Sequence, residues 1–105
     1  MNRQLFIYYR IPKADIVLGL RCARRMAACL QQQGLGRSQL FQREEADKPY
    51  YTLMEVIHPA PEHSLCEPVF IDALAQLAND CFAELPTMPS RHLELFGEVD
   101  IEVNE

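Results

Sequence analysis

No apolar run in this chain of 105 residues approaches the ~20 needed to cross a bilayer. Nothing at the amino terminus reads as a secretion signal, since Met1-Asn-Arg-Gln passes directly into a strand-like segment. Low-complexity tracts are missing too. Basic residues are scarce: 10 Lys and Arg stand against 15 Asp and Glu, for a net charge of -5 and a pI near 5.1. That balance argues against nucleic acid, because phosphate binding needs a concentrated basic surface. The local exception, Arg21-Cys-Ala-Arg24-Arg25, is expected to be the solvated face of a helix. The cysteines Cys22, Cys29, Cys66 and Cys81 form no C-x-x-C pair. Cys22 and Cys29, seven apart, share a helical face as small hydrophobes but lie too far apart to bond. A reducing, cytoplasmic location is expected. No G-x-S-x-G, H-E-x-x-H or Walker pattern occurs, and Ser38, Ser64 and Ser90 lack a context that activates a nucleophile. Gly34-Leu-Gly-Arg37 follows a helix and precedes a strand, the reverse of a phosphate loop. The motifs call for no cofactor.

What is present is a regular series of six elements. Gln4–Arg10 (QLFIYYR) is rich in aromatic and β-branched residues and reads as a strand. Pro12 is expected to end it, with Asp15 capping a helix that runs to about Gln33. Ile16, Leu20, Ala23, Ala27 and Leu30 form that helix's apolar stripe, widened by Leu18, Cys22, Met26 and Cys29. Gly34 closes it as a left-handed cap. Residues 37–44 and 50–58 read as two strands joined by the polar connector 45–49. Pro68–Leu85 reads as a second helix, with Phe70, Leu74, Leu77, Cys81 and Leu85 as its stripe. Arg91–Gly97 is the last strand.

The order βαββαβ predicts an α+β fold, the ferredoxin-like sandwich with a four-stranded antiparallel sheet and both helices on one face. Right-handed crossovers give strand order 4-1-3-2. Residues 1–97 make a single domain, and 98–105 an acidic tail.

Alternation then divides the sheet. Leu5, Ile7, Tyr9, Met54, Val56, Leu93 and Leu95 are expected under the helices. Phe6, Tyr8, Arg10, Leu53, Glu55, Ile57, His92, Glu94 and Phe96 are expected on the opposite face, with Phe41 and Arg43 from the second strand. Such a face is too apolar to stand uncovered in water. A second copy of the chain, sheet against sheet, is the simplest cover.

The strand pattern, with TLMEV in the third strand and RHLELF in the last, resembles a bacterial family of domains of unknown function. That family lies near the dimeric α/β-barrel superfamily of antibiotic-biosynthesis-type monooxygenases and muconolactone isomerases. The resemblance spans nearly the whole chain and implies a homodimeric α/β barrel. Its paired sheets would enclose a cleft that either holds a hydrophobic ligand or is packed solid.

Two functions follow as expectations. One is a homodimeric ligand-binding or assembly module, contacting a small hydrophobic ligand through Phe6, Arg10, Arg43, Leu53, Glu94 and Phe96. The other is a cofactor-independent monooxygenase or isomerase acting on a small hydrophobic substrate. In it His92, clustered with Glu55, Glu94, Tyr8 and Arg10, would move a proton while a carboxylate set its tautomer, and Tyr8 would donate to a developing oxyanion or bind a phenolic ligand. A structural reading competes with both: Arg10 and Arg43 pair with Glu55 and Glu94 inside an interface. Glu62, His58, His63 and Cys66 fall close along a Pro-rich segment, but their spacing matches no structural zinc pattern. No metal, nucleic acid or membrane partner is expected.

Overall fold

In a computed structural model, residues 2–63 and 68–102 are described. The elements are β1 (Arg3–Pro12), α1 (Ile16–Gln32), β2 (Gly36–Arg43), β3 (Tyr50–Pro59), α2 (Pro68–Cys81) and β4 (His92–Gly97). They make an α+β fold: a four-stranded antiparallel sheet, in the order β2-β3-β1-β4, with two helices.

Local boundaries differ from the sequence reading in instructive ways. Pro12 does not break β1. It stays in register opposite Tyr50, and a single 3-10 turn, Lys13–Asp15, leads into α1. Asp15 precedes the helix without a side-chain capping bond. Gly34 does adopt the left-handed conformation that ends α1, at φ 69°. Helix α2 stops at Cys81 rather than Leu85. The chain continues as a turn in which the Leu85 N–H donates to the Phe82 carbonyl, so Phe82 and Leu85 are still buried.

One core joins the two layers. Leu5, Ile7, Tyr9 and Ile11 from β1, with Leu53 and Ile57 from β3, meet Cys22, Ala23, Met26 and Leu30 of α1 and Phe70, Leu74, Leu77, Ala78 and Cys81 of α2. The α2 stripe is the one its spacing predicts. The α1 stripe is rotated toward Gly19, Cys22, Ala23, Met26 and Leu30. Gly19 explains the rotation: a Cβ there would sit 3.0 Å from the Ile11 side chain, so the helix seats its bare backbone on β1. Ile16, Leu20 and Ala27 are left half-buried. Of the arginine run, Arg21 and Arg24 are exposed, and Arg25 pairs with Glu84 at 2.6 Å.

Both central strands, β1 and β3, are flanked on two sides, while β4 is an edge with every residue exposed. The molecule measures 52 × 32 × 19 Å. The shortest dimension is that of two layers, one sheet and one row of helices, and among the described residues no element covers the second sheet face.

Candidate functional site

Antiparallel register fixes what shares that open face. Arg10, Thr52 and Arg43 lie opposite one another in one row across β1, β3 and β2. The next row, His92, Tyr8, Met54 and Phe41, crosses all four strands. The third is Glu94, Phe6, Val56 and Gln39. Phe96, opposite Gln4, continues the face beyond Glu94.

Two of the expected site residues are not among them. Leu53 and Glu55 were expected on the open face, but they lie opposite Tyr9 and Ile7 and so point under the helices. Ile57 goes with them, while Met54 and Val56 move the other way, to the open face. The cause is that β3 is covered on both faces: Thr52, Leu53, Glu55, Val56 and Ile57 are all buried. A strand apolar on both sides has no polar phase for alternation to read. Glu55, the one acidic residue of the strand, was read as an outward marker, and it belongs to the core.

There, at 2% exposure, Glu55 is fully engaged. Arg91 donates to both carboxylate oxygens, at 2.8 and 3.0 Å, and the Tyr9 hydroxyl donates to Oε2. The Arg91 guanidinium also lies over the rings of Tyr9, at 5.0 Å, and Phe82, at 5.2 Å. Burial, together with the Glu55 charge and hydrogen bond, pushes the Tyr9 hydroxyl far above its ordinary pKa. Burial opposes the charge on Arg91, and Glu55 more than offsets it. The carboxylate is therefore committed to holding β3, β1 and the start of β4 together, on the side of the sheet away from His92. The interfacial pairing expected of Arg10 and Arg43 with Glu55 is replaced by this Arg91 clamp.

The open face keeps the rest. The Tyr8 hydroxyl donates to Glu94 Oε1 at 3.0 Å. That hydrogen bond, then the Glu94 charge, raises the Tyr8 pKa, so Tyr8 serves as a donor rather than a base. The His92 ring stacks on Tyr8, centroids 5.4 Å apart and planes 26° apart. Phe6 and Phe96 meet edge to face at 5.0 Å. Arg10 lies over the Tyr50 ring at 4.5 Å. Beside this row Glu45 accepts from the Thr52 backbone N–H at 3.1 Å. That bond lowers the Glu45 pKa, and Arg43 and Arg10 add to the effect.

These side chains outline two adjoining hollows. The larger, about 560 Å³, is lined by Phe6, Tyr8, Phe41, Gln42, Arg43, Thr52, Met54, Glu94 and Phe96. The smaller, about 360 Å³, is lined by Tyr8, Tyr9, Arg10, Arg43, Thr52, Ser90 and His92. They share Tyr8, Arg43 and Thr52, so a single trough runs from an aromatic end to an end flanked by two arginines. Met54 and Thr52, which line it, are residues the sequence reading had not placed in the site. A one-residue shift of β3 would have found Met54.

Elsewhere, His58 Nε2 faces Gln39 Oε1 at 2.8 Å, and burial lowers its pKa, with Arg37 adding to the shift. His63 rests against the Phe70 ring. Cys66, the third donor of that segment, lies outside the described residues, as does Ser64. Among the described residues no helix is long and apolar enough to cross a membrane. No protein-family model, curated protein or solved structure matches the chain significantly.

Proposed function

We propose that this chain acts as a homodimeric ligand-binding module, with two ferredoxin-like sheets paired open face to open face in a dimeric α/β barrel. Its ligand is a small hydrophobic molecule bearing an acidic group. The observation that carries the reading is the polarity of the trough: Phe6, Phe41, Met54 and Phe96 at one end, Arg10 and Arg43 flanking Thr52 at the other. Apolar walls supply burial, and a few placed polar groups fix orientation. Guanidinium pairs suit a carboxylate or sulfonate, although Glu45 beside them partly offsets their charge. A reducing, cytoplasmic setting suits the cysteine pattern.

The anionic fluorophore 1-anilinonaphthalene-8-sulfonate and its uncharged relative N-phenyl-1-naphthylamine offer a direct comparison, since they differ chiefly in the acidic group. The sulfonate is expected to bind at one site per protomer and to weaken at least about tenfold in Arg10→Ala/Arg43→Ala, given ~1.5–3 kcal/mol for a hydrogen bond to a charged group. The uncharged probe is expected to be indifferent to that change. Equal response of both probes to the arginine substitutions sinks the ligand class. A 12.1 kDa monomer at every concentration sinks the dimer.

The second reading, a cofactor-independent monooxygenase or isomerase, is favoured by the Tyr8–His92 stack at the trough wall. It is weakened because Glu55 lies on the opposite face and Glu94 is engaged by the Tyr8 hydroxyl, so both carboxylates expected beside His92 are otherwise occupied.

A further inference from the structure

One stretch of sequence is unused by the site. Glu98-Val-Asp-Ile-Glu-Val-Asn104 alternates acidic or polar residues with β-branched apolar ones, the period-2 pattern of a half-buried strand. Yet residues 98–102 belong to no strand, with Glu98 held to Asn2, and Val99 and Ile101 are 74% and 91% exposed. A β-forming apolar stripe set out in water, next to a sheet with free edges, has the composition of an edge-adding strand.

We infer that residues 98–102 form a fifth strand only in the assembled pair, where each tail leaves its own protomer and adds to the β2 edge of the second copy. The inference rests on the two-copy part of the proposed function and goes beyond it by naming the segment that is exchanged. Three observations select this edge. Charge is the first: β2 carries Arg37 and Arg43 and no acidic residue, whereas the tail carries Glu98, Asp100 and Glu102. The β4 edge, with Glu94 and adjoining Glu98, would repel it. Register is the second: Arg37, Gln39, Phe41 and Arg43 face the open side and Leu40 the helix side. A tail with its acids beside the arginines lays Val99 and Ile101 beside half-buried Leu40.

Reach is the third. The tail departs from the far edge of its own sheet, tied down where the Glu98 N–H donates to the Asn2 carbonyl at 2.7 Å. Its own β2 lies three strand spacings away, roughly 14 Å. Five residues extend at most ~17 Å, which would be used up in crossing and leave nothing to pair. A second sheet stacked about 10 Å away brings its β2 within a shorter crossing when the two-fold axis sets that edge over β4. The exchange also answers a shortage of area. The open face of a four-stranded sheet has a flat footprint on the order of 500 Å², short of the ~800 Å² per partner of a standard interface.

Sedimentation equilibrium on five proteins tests this: the full chain, the chain ending at Gly97, and three full-length charge-reversed forms. Removing residues 98–105 is expected to raise the dimer dissociation constant at least about tenfold. Asp100→Lys/Glu102→Lys and Arg37→Glu/Arg43→Glu should each weaken the dimer, and all four changes together should restore much of the loss, which damage to folding could not do. An unchanged dissociation constant after truncation, or no recovery in the combined variant, overturns the exchange while leaving the sheet-to-sheet dimer standing. A full chain that stays monomeric removes the dimer itself, and the exchange with it.

Discussion

Replacing Arg91 by methionine is expected to destabilise this protein by about 3–5 kcal/mol, the usual cost of leaving a buried partner charge uncompensated. The site gives reason to expect the full amount. The side chains of Arg91 and Glu55 are 8% and 3% exposed, so water cannot take over the guanidinium's role. Both Glu55 oxygens lose a donor, and Tyr9 can satisfy only one of them. Methionine preserves most of the packing against Phe82 and Tyr9, which isolates the electrostatic part. At roughly 4 °C per kcal/mol for a chain of this length, Tm should fall by about 12–20 °C. Urea unfolding measures the loss. A second arm uses Glu55→Met alone and with Arg91→Met. The double variant should lose much less than the sum of the singles, since an apolar pair replaces an ionic one. Additive singles, or an Arg91→Met cost under about 1 kcal/mol, would refute the clamp.

Other consequences are simpler to state. Gly36→Ala should be costly, about 1–3 kcal/mol or more, because φ is 152° and a Cβ would stand 2.2 Å from the His58 carbonyl oxygen; Gly34→Ala has open space and should cost only about 1 kcal/mol for its left-handed φ, both read by urea unfolding. With its folded pKa raised, Tyr9 contributes stability fully below the unfolded value near 10 and loses it as pH rises further. Wild type should therefore weaken above about pH 10, and Tyr9→Phe should flatten that alkaline slope in pH-dependent unfolding. Burial holds the Cys81 thiol up, to about 11, and raises that of Cys22. Alkylation at pH 8 followed by peptide mass mapping should find both unmodified until the chain is unfolded, and rapid native labelling of either would contradict the packing.

The order of elements was legible because each carries its own local signal. Pro68 opens α2, Gly34 closes α1, and β-branched and aromatic runs mark the strands. Faces were legible only where one side of a strand meets water. In β4, alternation correctly put Arg91, Leu93 and Leu95 opposite His92, Glu94 and Phe96, and β1 was equally clear. In β3 the same rule failed, since its two faces are covered by different things: helices on one, Phe6, Tyr8 and their neighbours on the other. Taking Glu55 as an outward marker then inverted the strand. Thr52 carries the opposite phase but weakly, and the partners that make a buried glutamate tolerable, Tyr9 and Arg91, lie 46 and 36 residues away. The rotation of α1 is a similar case. Gly19 has no side chain to count in a hydrophobic stripe, yet it is where the helix comes closest to Ile11.

The Glu55 inversion also changes what the sheet is for. On the helix side Arg91, Glu55 and Tyr9 form a closed set, each satisfying the others. On the open side Arg10 and Arg43 are exposed, Glu94 is held by Tyr8, and His92 lies flat on a ring. The closed set bears on the open one through β4. That strand is an edge, paired only with β1, and Leu93 and Leu95 are each 42% exposed on the side the helices only partly cover. Its packing alone would hold it weakly. Arg91, one residue before β4 begins, ties it across β1 to β3, and so sets where His92, Glu94 and Phe96 stand along the trough wall. On this account loosening the clamp should blur the trough before it unfolds the protein. Amide exchange at Glu94 and Phe96, whose N–H groups face β1 in the ladder, should quicken in Arg91→Met at urea concentrations where Leu53 and Ile57 remain protected. Uniform acceleration across all four residues would instead make the clamp a contributor to global stability alone, with no particular hold on the site.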